Sequence, residues 1–104
     1  MTDWIDAGNA EDVDTEDVIR FNHGARTYAI YRSPEDEYFA TDGLCSHEAV
    51  HLAEELVMGD TIECPKYNGR FNYKTGEAKR APVCINLRTY PVRVAAGRIL
   101  IQLD

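Results

Sequence analysis

Long apolar runs are missing from this 104-residue chain, and cations are few. No window approaches the roughly 18 apolar residues that a bilayer-spanning helix needs. The opening Met1-Thr-Asp-Trp-Ile-Asp-Ala-Gly has no basic segment followed by an apolar stretch, so no secretory signal is expected there. Eleven Lys and Arg stand against eighteen Asp and Glu, a formal net charge of −7. That balance excludes the phosphate-neutralising surface of a nucleic-acid binder and disfavours docking on an anionic membrane. Cysteine is scarce: the three residues Cys45, Cys64 and Cys84 are an odd number, which a pure disulfide framework would leave with one unpaired. Without an export signal, reduced, metal-bound or catalytic thiols are expected, in a cytoplasmic protein. Internal repeats, low-complexity tracts and linkers are also lacking, and the length suits one small domain. What is present, 44% hydrophobic and 28% charged residues, is the balance of a folded domain. At this size the core is thin, and a metal or a partner often supplements it.

Seven of the acids fall within the first seventeen residues, which reads as a solvated face or loop, or else as an acidic patch for a basic partner. The rest reads as short strands between turn signals. Val18–Phe21 and Thr27–Tyr31 flank the hairpin turn Asn22-His-Gly-Ala-Arg. Tyr38–Thr41, Thr61–Cys64 and Arg70–Tyr73 follow, the last closed by Lys74-Thr-Gly76. Arg88–Val94 and Ile99–Leu103 pair around Ala96-Gly97, with Pro91 marking the first of them as an edge or bulged strand. Val50–Leu56 alone leans towards helix. The expected fold is all-β, a small antiparallel sandwich or barrel.

Two segments concentrate metal-binding side chains. Gly43-Leu-Cys45-Ser-His47-Glu-Ala-Val-His51 is the first, and Glu63-Cys64-Pro-Lys-Tyr67-Asn-Gly69 is the second. Soft thiolates and borderline imidazoles suit zinc and iron–sulfur sites, and a metal can clip two loops of a small β-domain together. A lone Cys-x-His or Cys-Pro-Lys is weak, because free cysteine is often a buried small hydrophobe. Two such segments, each on a loop after a strand and each bounded by glycine, are more specific.

At this point the chain resembles the Rieske family of iron–sulfur proteins. The family pattern is Cys-x-His followed, about fifteen to seventeen residues on, by Cys-x-x-His. Here sixteen residues separate His47 from Cys64. Gly59-Asp-Thr-Ile-Glu-Cys-Pro, Asn68-Gly-Arg-Phe-Asn, Tyr73-Lys-Thr-Gly-Glu-Ala, Ala81-Pro-Val-Cys and Leu87-Arg-Thr-Tyr-Pro-Val extend the likeness to bacterial Rieske-type ferredoxins over roughly Trp4 to Leu103. The resemblance implies one domain over residues 1–104, with a cluster-binding subdomain over about 43–82. It implies a [2Fe–2S] cluster with Cys45 and Cys64 on one iron and His47 on the other. It also implies a single-electron carrier, without substrate chemistry, between a flavoprotein reductase and a terminal oxygenase, expected as a monomer.

One position departs from the pattern: Tyr67 stands where the family has its second histidine. As a phenolate ligand Tyr67 would add a negative charge and favour ferric iron, lowering the reduction potential; a bound cation can depress its pKa enough for that. Its oxygen lies at the far end of the ring, so ligation would require the loop to retreat. A water-filled gap or loss of the cluster are the alternatives. His51, four residues after His47, and Cys84, beside Ala81-Pro82-Val83, are conceivable substitute donors; an ordinary loop histidine and a structural cysteine are the plainer readings. His23 reads as a solvated turn residue.

In respiratory members an additional cysteine in each cluster loop forms a disulfide; the matching places here are Val50 and Lys66, which cannot. Gly69 and Phe71 stand where those members place serine and tyrosine hydroxyls against sulfur. Fewer such hydrogen bonds imply a potential near the low end of the Rieske range, roughly −150 mV even with histidine at position 67. Lys66, Lys74, Lys79 and Arg80 are expected to make the cluster tip less acidic than the opposite end. Two other function classes compete with the carrier. One is a Rieske-like binding or structural module with a defective or absent cluster. The other is a mononuclear zinc site of Cys45, His47 and Cys64.

Overall fold

Two tight turns set the frame of the molecule. The computed structural model describes residues 4–44, 51–55, 57–63, 69–80 and 86–103. Strand β2 (Asp17–His23) turns back into β3 (Arg26–Arg32) with His23 opposite Arg26. Gly24 supplies a φ of +61° at the first central position, where a II′ hairpin turn demands it. Strand β10 (Val92–Ala95) turns into β11 (Arg98–Gln102) through Ala96 and Gly97, both at positive φ, the I′ pattern.

The described strands are antiparallel and form three sheets. The order β2-β3-β4-β9 makes the largest sheet with β4 (Tyr38–Asp42) and β9 (Thr89–Tyr90). A three-stranded sheet, β1-β11-β10, begins with β1 (Trp4–Asn9). A smaller sheet joins β5 (Val57–Met58), β6 (Thr61–Glu63), β7 (Arg70–Asn72) and β8 (Ala78–Arg80) in chain order. The all-β expectation holds.

Alternation along β3 explains the layering. A strand points successive side chains to opposite faces, and Tyr28, Ala29, Ile30 and Tyr31 are all buried. Tyr28 and Ile30 pack with Ala7, Val13, Ala40, Tyr90, Ile99 and Ile101 towards the β1-β11-β10 sheet. Ala29 and Tyr31 pack with Val18, Leu52, Val57, Ile62, Phe71, Tyr73 and Leu87 towards the small sheet. The β2-β3-β4-β9 sheet is thus the shared wall of two apolar cores.

The structure departs from the sequence reading at the N-terminus. The acidic opening is not simply a solvated loop: Trp4–Asn9 pairs with β11, with Ile5 opposite Ile101. Asp6 is tolerated there because its carboxylate accepts from the Arg98 guanidinium at 2.8 Å and from the Gly8 N–H at 2.9 Å. Pro91 does more than mark an edge. It divides Arg88–Val94, so that Tyr90 pairs with Ala40 in one sheet while Val92 pairs with Ile101 in another. The helical leaning of Val50–Leu56 reduces, among the described residues, to a single 3-10 turn, Leu52–Glu54.

Candidate metal centre

Both donor-bearing segments start and finish on paired residues. After β4, Gly43 donates its N–H to the Thr27 carbonyl at 3.0 Å and accepts the Leu52 N–H at 2.8 Å. Leu44 and His51, the described residues on either side of 45–50, form an antiparallel bridge. The second segment is closed by the small sheet: Glu63 lies opposite Arg70 at the ends of β6 and β7, and their side chains pair at 3.4 Å. Cys45, His47, Cys64 and Tyr67 sit inside these two brackets in sequence, and they lie outside the described residues. So do Val50, Lys66 and Cys84 with its neighbours Ala81-Pro82-Val83. Among the described residues, no three His, Cys, Asp or Glu side chains gather where they could hold a metal.

Donor chemistry tests the fit. The two thiols of Cys45 and Cys64 and the imidazole of His47 are the donor types of a Rieske [2Fe–2S] centre at three places of four, and at the sequence position of the fourth the chain has a tyrosine, Tyr67, instead of histidine.

His51 is described, and it is neither a free loop residue nor an available donor. The ring is 3% exposed. Its Nδ1 accepts the Ala53 N–H at 3.0 Å, capping the 3-10 turn, and its Nε2 lies 2.9 Å from Thr27 Oγ1. Both nitrogens are therefore engaged within the fold, which argues against His51 as a substitute ligand. Burial, reinforced by the Arg20 charge and opposed by Glu54, holds its pKa below the ordinary histidine value. His23, by contrast, is exposed at the end of β2, its ring stacked 6.1 Å from Phe21.

Two of the four cations expected to lighten the cluster end, Lys74 and Lys79, are neutralised; Lys66 and the Arg80 side chain lie outside the described residues. Lys74 Nζ bridges Glu35 at 3.2 Å and Asp60 at 3.1 Å, and Lys79 pairs with Glu77 at 2.8 Å. Phe71 is fully buried among the apolar side chains beneath the small sheet.

Sequence reasoning missed the residues that seat the small sheet on its neighbour. The Tyr73 hydroxyl donates to the Gly59 carbonyl at 2.5 Å, and Glu16 accepts the Gly59 N–H at 2.9 Å. Gly76, at φ +81°, receives the 86–88 segment so closely that a Cβ would lie 2.1 Å from the Leu87 carbonyl oxygen. The glycine in Lys74-Thr-Gly76 was legible as a turn, but not as a close approach.

Comparison with known proteins agrees with this fold. The Rieske [2Fe–2S] domain family matches residues 3–91. The ferredoxin component of a naphthalene 1,2-dioxygenase system from Pseudomonas aeruginosa is 39% identical over 101 residues, covering 97% of this chain and 96% of that one. Among solved structures, the Sphingomonas yanoikuyae B1 ferredoxin superposes with a TM-score of 0.91 at 29% identity, covering 98% of this chain and all of the other. A chain in the complex of reduced oxygenase and oxidised ferredoxin of carbazole 1,9a-dioxygenase gives 0.89 at 33% identity, covering 95% and 92%. The chain belongs to the Rieske [2Fe–2S] domain family.

Proposed function

We infer that the chain is the ferredoxin component of a multi-component oxygenase system, an electron-transfer protein and not an enzyme. The observation that carries this reading is the full-length likeness to ferredoxin components, at 39% identity over 101 residues. It takes electrons singly from a flavoprotein reductase and hands them to a terminal oxygenase, working as a cytoplasmic monomer. A solved relative is a complex of this kind, between an oxygenase and its ferredoxin.

When bound, the [2Fe–2S] cluster supplies a one-electron couple. Cys45 and Cys64 would hold one iron, and His47 with Tyr67 would hold the other, within a cluster-binding subdomain of about 43–82. Support comes from the paired residues Leu44–His51 and Glu63–Arg70, which flank the two donor segments. Tyr67 makes the site more anionic than one with two imidazoles, and buried Phe71 has no hydroxyl to offer to sulfur. Both features favour a low potential.

The test is the visible spectrum with iron and sulfide analysis of protein purified without oxygen. Two irons and two sulfides per chain are expected, lost on Cys45→Ser or Cys64→Ser. Zinc, or no metal, would favour the module with a mononuclear or absent centre.

A further inference from the structure

His51 stands where three parts of the chain meet. Its Nδ1 accepts from the Ala53 backbone, so the ring proton resides on Nε2, and that N–H is directed at the Thr27 hydroxyl on β3. N-caps are ordinarily Ser, Thr, Asp or Asn, whose oxygens accept at any pH above the carboxylate range; here an imidazole does it. Across the bridge, Gly43 lies so near that a Cβ would come 2.6 Å from His51 Nε2. Thr27 thus holds both ends of the first donor segment, Gly43 through its carbonyl at 3.0 Å and His51 through its hydroxyl at 2.9 Å.

We propose that His51 is a positioning residue: as a neutral imidazole in one tautomer, it clamps the two ends of the 45–50 segment to β3 and thereby sets where Cys45 and His47 are presented. The identity of those two residues as ligands rests on the carrier reading; the clamp does not.

A consequence is acid sensitivity. Protonation would put a hydrogen on Nδ1 facing the Ala53 N–H, replacing a hydrogen bond by donor–donor repulsion. The charged groups bearing on the ring are Arg20 from β2, which opposes protonation, and Glu54 from its own turn, which favours it; Thr27 from β3 is uncharged. Because the folded state keeps the ring neutral, the unfolded chain takes up the proton first. The stabilisation is therefore present above the ordinary histidine value of 6.5 and lost as pH falls below it towards the lowered folded value.

The experiment compares wild type, His51→Ala, His51→Asn and Thr27→Val in the cluster-loaded protein. Iron release to a chelator is followed across pH, together with deuterium uptake of the 51–55 backbone by mass spectrometry. His51→Ala should take up deuterium faster and release iron roughly tenfold faster at neutral pH, with the shape of the visible spectrum unchanged. Asparagine caps without titrating, so His51→Asn should restore slow release and abolish the acid acceleration of the wild type. Thr27→Val should fall between. Wild-type uptake and release in His51→Ala would overturn the proposal, as would an altered spectrum, which would put His51 on iron. Persistence of the acid acceleration in His51→Asn would overturn it too. If His51→Ala does not fold, His51→Asn against wild type decides. If the wild type holds no cluster, the carrier reading fails, while deuterium uptake across pH still decides the clamp.

Discussion

Tyr31 and Tyr73 stack almost parallel, ring centroids 4.6 Å apart and planes 11° from one another. One ring comes from β3 and the other from the turn after β7, so the stack joins the shared wall to the small sheet. Both side chains are fully buried, and Phe39 meets Tyr73 edge-on at 5.8 Å. Aromatic pairs at this spacing contribute about 0.5–1.5 kcal/mol beyond their buried area. The stack, the Tyr73–Gly59 hydrogen bond and the Glu16–Gly59 hydrogen bond make one seam at the Thr61–Asn72 end of the small sheet, the end away from Glu63 and Arg70.

Tyr73→Ala should therefore cost about 3–5 kcal/mol, as large aromatic truncations in a core do. Tyr73→Phe keeps the stack and loses only the bond to the Gly59 carbonyl, at about 1 kcal/mol. Urea unfolding curves give both numbers. An unchanged midpoint in Tyr73→Phe would mean that the hydroxyl does not hold the Gly59 turn.

Alkaline pH should loosen both cores, since Tyr31 and Tyr73 lie in one and Tyr90 in the other. Burial pushes the Tyr73 phenol up to about 12, and burial with the Asp42 hydrogen bond pushes Tyr90 up to about 12. Tyr31, wholly buried, is raised as well. The fold keeps these phenols neutral, so the stability they lend is intact below the unfolded value of 10.0 and declines as pH rises from there towards 12. Tyrosinate absorbance and melting temperature, measured together up the pH scale, should show ionisation of these rings coinciding with unfolding. Their ionisation in the folded protein near 10.0 would contradict this.

Two turn positions should respond with opposite signs. Gly76→Ala places a Cβ at φ +81° and against the Leu87 carbonyl, and should destabilise by at least about 2 kcal/mol. Ala96 already occupies φ +52°, a left-handed conformation that disfavours alanine. Ala96→Asn creates the Asn-Gly pair preferred in I′ turns and should stabilise by about 0.5–1 kcal/mol. Equal and opposite movement is not required; the signs are, in denaturant midpoints.

Tyr67→His bears on the metal centre. On the proposed ligand set, replacing a phenolate by an imidazole removes one negative charge, so the potential should rise and cluster content increase. A second iron-bound imidazole that can lose a proton should also steepen the dependence of potential on pH at alkaline values. Protein-film voltammetry of both forms measures this. The same potential and slope in both, with full cluster content, would show that residue 67 is not at the iron.

Much of the architecture was readable before any coordinates, because its signals are local. Glycine at the β2–β3 turn, Ala96-Gly97 before β11 and short β-rich runs specify hairpins within a few residues. The family motif is equally local, since residue type and spacing alone carried the Rieske resemblance that the family match bears out. β1 was missed because its acids read as solvent-facing, and the cation that accommodates Asp6 lies 92 residues away at Arg98. The short strands β5 and β8 carry too few residues to show a period of two.

By itself the sequence determined the principal hairpins, the acidic balance and the Rieske-like motif, with Tyr67 where the pattern has its second histidine. These follow from composition and from chemistry within a few bonds. Tertiary structure decided the rest: that Pro91 passes the chain from one sheet to another, that Lys74 is spent on Glu35 and Asp60, and that His51 is a buried cap instead of a spare ligand. Burial and hydrogen-bond partners depend on residues brought together from distant parts of the chain. Thr27 and His51 lie 24 positions apart, and no local pattern could show that one hydroxyl fixes the other's ring.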